Sequence, residues 1–257
     1  MKAAKKGFTL VELLVVLGIL GVLMAVLFPA VSTIQFKSTI TAISVSGRNL
    51  HIAIVGANTE REKLGKSSVW PRTRAGSTQS TGEQDIADQG FQSSTDYFNE
   101  LFDMDNVGDS KKWEPFIDKD ALKTLSGSGV KPPIGGQRLQ KDNVMWIVAA
   151  NVQDELEGTI PVLLTRNILA SDLTKQYDGK LDTKVSLGTA NGAKYDTPLS
   201  NKGFVLVTKG GTVVSGEGGR YCTYSVIYKN QAFEISDEGE DTDEFTYLGP
   251  DGAQSPQ

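Results

Sequence analysis

An apolar block near the amino terminus dominates the hydrophobic pattern of the chain. Residues 8–31 form a 24-residue segment whose single charged side chain is Glu12. As a helix rising about 1.5 Å per residue, this segment would be about 36 Å long, which is enough to cross the hydrocarbon core of a bilayer. It follows three lysines, Lys2, Lys5 and Lys6. Because positively charged flanks stay in the cytoplasm, the pattern predicts one membrane span with a cytoplasmic amino terminus and an exported remainder.

Beyond Pro29 the pattern changes to a stripe of apolar and small residues separated by steps of three and four. The stripe consists of Phe36, Ile40, Ile43, Gly47, Leu50 and Ile54. This spacing predicts that the helix continues as an amphipathic second half that packs on a sheet. Gly56 and Asn58 are the predicted stop signals, so we expect one helix of about fifty residues.

The middle of the chain is polar and has few apolar residues. Residues 59–94 predict a long surface connection. Thr95 is the predicted N-cap of a short helix that ends at Phe102, and Asp118 is the predicted cap of a second one that ends at Leu125.

From residue 144 onward the pattern is typical of strands. The runs Val144–Ala150 and Ile160–Thr165 predict one hairpin, and Phe204–Thr208 with Thr212–Val214 predict another around Lys209-Gly-Gly. Further strands are predicted at Tyr221–Tyr228 and Phe233–Ile235. A long helix followed by antiparallel strands is an α+β plan.

Composition excludes several kinds of site. Among 257 residues there is one cysteine, Cys222, and one histidine, His51. An internal disulfide framework and multi-His or multi-Cys metal sites are therefore excluded. The net charge of −5 argues against nucleic-acid binding. His51 is the one possible base for a Cys222 nucleophile, and since the default roles of both are structural, we do not predict an enzyme.

Glu12 needs an explanation, because a carboxylate in an apolar layer is costly without a partner. It lies in the sequence Gly7-Phe8-Thr9-Leu-Val-Glu12-Leu-Leu-Val-Val16. This sequence resembles the amino-terminal motif of type IV pilins and type II secretion pseudopilins. The resemblance implies that a prepilin peptidase cuts between Gly7 and Phe8 and methylates the new amino group of Phe8.

The resemblance also implies self-assembly into a filament through the amino-terminal helix. Glu12 would pair with the free amine of a neighbouring subunit's Phe8, which removes two desolvation costs. Gly18, Gly21 and Pro29 would weaken the helix locally, although the two glycines are equally compatible with close helix packing. The implied partners are the peptidase, the inner membrane before assembly, and the pilus or secretion machinery. The final location is then a periplasmic pseudopilus or an extracellular pilus.

The carboxylates near the carboxyl terminus form a dense run. They are Asp237, Glu238, Glu240, Asp241, Asp243 and Glu244. Oxygen ligands at this density could bind Ca²⁺, and the resemblance to calcium-binding pseudopilins agrees with the position. A solvated acidic tail is the favoured interpretation. No other cofactor is predicted.

The chain is thus divided into a cleaved basic leader (1–7), a transmembrane assembly helix (8–31) and an amphipathic half-helix (32–57). These precede a variable loop region (58–143), an antiparallel sheet (144–236) and an acidic tail (237–257). Other interpretations remain open. They include a signal peptide cut before Thr33, a plain anchor, a membrane-anchored adhesin or host-interacting protein that forms no filament, and a secreted hydrolase.

Overall fold

The computed structural model confirms the α+β class. It describes residues 9–66, 68–73, 90–102, 119–134, 137–152, 156, 158–173, 182–218, 221–225 and 246–253. The chain divides into two compact units, residues 1–41 and residues 42–257. The first unit contains the beginning of a long helix, and the second contains the rest of that helix together with the strands.

The long helix, α1, runs from Leu10 to Lys63 and has 54 residues. This confirms the predicted single long helix. Within the second unit the predicted stripe is also confirmed, because Ile43, Gly47, Leu50 and Ile54 are all buried. Polar residues and the exposed Val45 and Ile52 lie between them, so the helix has one face for the core.

The predicted end of α1 at Gly56 or Asn58 was wrong. The buried stripe continues through Ala57 and Arg61, so packing carries the helix further. It ends at Lys63 and is followed by Gly65, whose φ of +66° is the left-handed conformation that glycine adopts without strain. The amide of Lys66 donates to the Arg61 carbonyl at 3.0 Å and that of Gly65 to the Glu62 carbonyl at 2.9 Å. These two bonds form a Schellman motif, which satisfies carbonyls at the helix end.

The main sheet is antiparallel and has six strands, which are β3 (Trp146–Ala150), β4 (Pro161–Thr165), β6 (Gly203–Thr208), β7 (Val213–Glu217), β9 (Thr246–Gly249) and β10 (Gly252–Ala253). Their order across the sheet is β10-β9-β3-β4-β6-β7. Both predicted hairpins are confirmed, since β3 pairs with β4 and β6 with β7. Every residue of β3, β4 and β6 is buried, so both faces of the central strands are covered.

At Gly47, α1 lies directly against this sheet. A Cβ atom added at Gly47 would lie 2.7 Å from Cη2 of Trp146 and 2.9 Å from Cγ2 of Val207. Real Cβ atoms do not approach that closely, so glycine allows the helix backbone to sit against β3 and β6. The Trp146 indole is fixed from its other end, because Nε1 donates to the Thr124 carbonyl at 2.7 Å.

Two smaller sheets accompany the main one. Strands β1 (Arg72–Thr73) and β2 (Gly90–Phe91) pair in parallel, and β5 (Asp182–Ser186) pairs antiparallel with β8 (Tyr221–Ser225). The described part of the predicted strand Tyr221–Tyr228 is therefore a strand. The predicted strand Phe233–Ile235 lies outside the described residues.

The short helix α2, Ser94–Leu101, is capped by Ser93, so the predicted cap at Thr95 was wrong. The Ser93 hydroxyl accepts from the Asp96 amide at 3.1 Å. Thr95 instead donates its hydroxyl hydrogen to the Pro250 carbonyl at 2.6 Å. The second predicted helix is a 3₁₀ segment, Lys119–Leu125, and Asp118 lies outside the described residues.

The predicted end of the sheet at residue 236 was wrong, because part of the proposed acidic tail is a strand of the main sheet. Strand β9 pairs with β3, and its Tyr247 and Leu248 are fully buried. The Tyr247 hydroxyl also donates to the Pro161 carbonyl at 3.1 Å. Residues 246–249 belong to the core because two of their large side chains are buried and because their backbone is hydrogen-bonded to β3.

Candidate functional site

Helix α1 begins with a reciprocal pair of hydrogen bonds between Thr9 and Glu12. The Glu12 carboxylate accepts through Oε2 from the Thr9 amide at 2.8 Å and from the Thr9 hydroxyl at 2.9 Å. The Glu12 amide in turn donates to Thr9 Oγ1 at 3.3 Å. This is a capping box, in which two amides at the start of the helix find acceptors in each other's side chains.

The capping box is a feature that we did not predict, although its signal is in the sequence. Thr9-Leu10-Val11-Glu12 has the spacing of a capping box in front of an apolar run. The box uses Oε2 of Glu12, so in the described part of the chain Oε1 has no hydrogen bond that would prevent a second partner.

From the capping box to Phe28 the large apolar side chains of α1 are exposed around the whole helix. Their exposed fractions lie between 45% and 81%. They are Leu10, Val11, Leu13, Leu14, Val15, Val16, Leu17, Ile19, Leu20, Val22, Leu23, Met24, Val26, Leu27 and Phe28. This helix is long and apolar enough to cross a membrane, by length and composition. Apolar surface of this extent normally marks contact with a membrane or another protein.

The three residues predicted to weaken this helix all lie within it. Gly18 and Gly21 have open space around them, because a Cβ added at either would meet no atom within 4 Å. Packing inside the chain therefore does not require glycine at these positions. Helix α1 is continuous across both glycines and Pro29, and their role in flexibility stays a prediction.

The amino-terminal sequence matches a known family model. Residues 2–28 match the model described as the prokaryotic N-terminal methylation motif. The chain carries a prepilin-type amino terminus. This motif is the hallmark of type IV pilins and pseudopilins, which agrees with the resemblance noted from Gly7, Phe8 and Glu12. No curated protein and no solved structure matches the chain.

Two groups of predicted site residues lie outside the part of the chain that the structure describes. Gly7 and Phe8 lie outside the described residues, as does the whole acidic run from Asp237 to Glu244. Processing at Gly7 and calcium binding at the run stay predictions. Within the part of the chain that the structure describes, no group of three or more His, Cys, Asp or Glu side chains is placed to hold a metal ion.

The candidate base and nucleophile lie on different elements of the second unit. His51 is on α1, where it is 6% exposed, and its Nε2 lies 2.9 Å from the Lys209 carbonyl oxygen. Burial lowers the pKa of His51, and the hydrogen bond to Lys209 opposes that shift more weakly. Cys222 is on β8, opposite Val185 of β5. His51 is thus a buried side chain that connects a helix to a turn, which is a structural role.

Proposed function

We propose that this chain is a structural subunit of a type IV pilus-like or pseudopilus filament and that it has no catalytic role. One observation carries the proposal: the prepilin-type motif at residues 2–28 includes the first part of α1, where the large apolar side chains are exposed on every side. A plain anchor would explain the apolar surface but would not explain the motif. A globular domain attached to such a helix is what a filament subunit presents on the outside of the filament.

The motif supports a defined processing step. A prepilin peptidase would hydrolyse the Gly7–Phe8 bond on the cytoplasmic side of the inner membrane and methylate the amine of Phe8. Thr9 keeps its amide in this reaction, because the Phe8–Thr9 bond is untouched. The capping box between Thr9 and Glu12 can therefore persist in the mature subunit.

The capping box gives Glu12 a definite place in assembly. It holds the carboxylate at the first turn of the helix and occupies Oε2. Oε1 then remains for the methylated amine of Phe8 in a neighbouring subunit. Such a pair would neutralise two charges inside an apolar filament core and would fix the stagger between helices.

The exposed apolar side chains supply the packing surface for the proposed assembly. In the membrane they contact lipid, and in the filament they would contact the same helices of neighbouring subunits. Helix association in lipid depends on close packing and on polar pairs more than on the hydrophobic effect. Gly18 and Gly21, with open space at both positions, would let neighbouring helices approach closely.

Processing can be measured in cells that contain the prepilin peptidase and the filament machinery. The intact mass of the membrane-extracted protein should correspond to residues 8–257 with one added methyl group. Replacement of Gly7 by a bulky residue should leave the precursor uncut. A mature chain that begins at Thr33 would refute the proposal and indicate a secretory signal.

Assembly is tested by Glu12→Val, with Glu60→Val as the matched control. Both glutamates are exposed on α1, but Glu60 lies outside the apolar segment. We expect Glu12→Val to be processed normally while filament yield falls at least tenfold, and Glu60→Val to assemble as the wild type does. Filaments at wild-type yield from Glu12→Val would contradict the charge-pair role. Normal processing without any filament from the wild type would favour the adhesin interpretation.

A further inference from the structure

The exposed side of α1 in the second unit carries a second stripe of regularly spaced residues. This outer stripe consists of Val45, Arg48, Ile52, Val55, Thr59 and Glu62, which are all exposed. Steps of three and four residues separate them, as in the buried stripe around Leu50 on the opposite side of the helix. Val45 and Ile52 are 53% and 57% exposed. The described part of the chain therefore covers one stripe of α1 and leaves this one open.

The spacing of the outer stripe fits a second helix that runs alongside α1. Alternating steps of three and four residues average about 3.5 residues per turn, which keeps one row of side chains against a partner helix along its length. Val45, Ile52 and Thr59 lie seven residues apart and are all β-branched. Side chains of this kind are favoured at one of the two core positions between parallel paired helices. The outer stripe therefore has the form of a helix-binding surface.

The outer stripe is continuous with the apolar surface at the start of the helix. The same steps lead back from Val45 through Thr41, Ser38, Ile34 and Val31. Of these, Ile34 and Val31 are 66% and 47% exposed, and the helix is uninterrupted over the whole range. Under the proposed function, the apolar surface at the start of α1 packs on α1 of neighbouring subunits. A second copy of α1 along that surface can follow the same steps onto the outer stripe.

Two charges give the outer stripe a preferred register with its own copy. Arg48 and Glu62 are fourteen residues apart, and in the described part of the chain neither side chain has an ion pair. Copies that share a membrane orientation have parallel helices. A displacement of fourteen residues, about 21 Å along the helix, then places Arg48 of one copy beside Glu62 of the other. Without displacement Arg48 would face Arg48, and displaced by seven residues it would face Val55, so both alternatives leave charges unpaired.

We propose that α1 of a second copy lies along the outer stripe, parallel and displaced by fourteen residues, with Arg48 and Glu62 paired between the copies. This contact rests on the proposed filament and adds a second kind of neighbour to it. Pairing of Glu12 with the Phe8 amine displaces two helices by four residues, so it joins each subunit to a different copy. The ion pair selects the larger displacement, and Ile52 with its apolar neighbours in the stripe is shielded from water in the contact.

Charge reversal tests the pairing in cells that assemble the wild-type filament. Arg48→Glu and Glu62→Arg should each lower filament yield about tenfold, because each brings like charges together between copies. The double variant restores an opposite pair and should return the yield to near the wild-type level. Glu60→Arg is the matched control, since Glu60 is exposed two residues before Glu62, on the other side of the helix. It should assemble normally by itself and should not rescue Arg48→Glu.

Disulfide trapping measures the same contact in a second way. In a Cys222→Ser background, cells that make Arg48→Cys and Glu62→Cys copies together should give a disulfide between the two kinds of copy when an oxidant is added. A mixture in which Glu60→Cys replaces Glu62→Cys should give much less of it. The urea midpoint of tryptophan fluorescence should match that of the parent protein in every variant, because residues 48, 60 and 62 are exposed.

The outcomes for the contact and for the filament can be distinguished. Wild-type filament yield from Arg48→Glu, or no recovery in the double variant, would overturn the contact. So would rescue of Arg48→Glu by Glu60→Arg, or filaments that assemble normally without the disulfide between copies. These results leave the proposed function intact, because wild-type filaments are present. If the wild type forms no filament, the proposed function fails and the contact fails with it.

Discussion

The two halves of α1 belong to one helix but have opposite patterns of burial. From Leu10 to Phe28 the large apolar side chains are exposed on every side. In the second unit the buried positions of the helix from Ile43 to Arg61 recur every three or four residues, with the buried His51 next to Leu50. The second half is stabilised by a sheet that the same chain supplies. The first half has an apolar surface for which the described chain supplies no cover, so its partner is lipid or another molecule.

This comparison can be tested because the fluorescent side chains report on one half. Trp70, Trp113 and Trp146 all follow residue 41. Urea unfolding of the full chain in mild detergent, followed by tryptophan fluorescence, therefore measures the free energy of unfolding of the second unit. Matched substitutions in the two halves of α1 should differ strongly in this measurement.

The largest difference is expected between Leu50→Ala and Leu20→Ala. Leu50 is fully buried and Leu20 is 45% exposed. Removal of the Leu50 side chain should lower the free energy of unfolding by about 2–5 kcal/mol, because it leaves a cavity in the core. Leu20→Ala should change it by less than about 0.5 kcal/mol. Equal effects of the two substitutions would show that the halves do not differ in the way we describe.

Gly47→Ala and Gly56→Ala should change the free energy of unfolding by smaller amounts and in opposite directions. The new methyl group at Gly47 would overlap Trp146 and Val207, whereas at Gly56 it would meet no atom within 4 Å. Gly47→Ala should therefore destabilise the second unit by about 1–3 kcal/mol. Gly56→Ala should stabilise it by up to about 1 kcal/mol through helix propensity. Stabilisation by both would mean that α1 does not lie against β3 and β6 as closely as described.

The smallest difference concerns the two ends of α1. Gly65→Ala should cost about 1 kcal/mol, because alanine is strained at a φ of +66°. Thr9→Ala removes the capping box in the first unit and should leave the tryptophan transition unchanged. Its effect should appear as a small loss of helical circular dichroism, which Thr9→Ser would not show. A shifted tryptophan transition in Thr9→Ala would indicate that the two units unfold together.

Features with a periodic pattern could be predicted from the sequence, and features set by distant contacts could not. The stripe around Leu50 and the strands around Val148 and Val207 have regular apolar spacing. The choice between Ser93 and Thr95 as a cap depends on Pro250, whose carbonyl engages Thr95 across 155 residues. Likewise, Gly56 and Gly65 look equivalent locally, and only the burial of Ala57 and Arg61 selects Gly65.

The candidate site shows the same division. The charge of Glu12 within an apolar segment, together with Gly7 and Phe8, was enough to predict the prepilin-type motif. The hydrogen bonds of Thr9 connect it to Glu12, only three residues away, so they could also have been predicted from the sequence. Strand β9 could not be predicted, because Thr246–Gly249 is too short to show a periodic apolar pattern and its partner β3 lies about a hundred residues earlier.

The position of β9 determines when the second unit can finish folding. Val148 pairs with Leu248, so the β3 edge stays open until 100 further residues have been made. At a synthesis rate of about 5–20 residues per second, this delay is about 5–20 s. Pairing over such a sequence distance is also slow in itself, because a long loop must close first. The main sheet therefore stays incomplete until residues 246–249 have been made, and β9 then covers the open edge of β3.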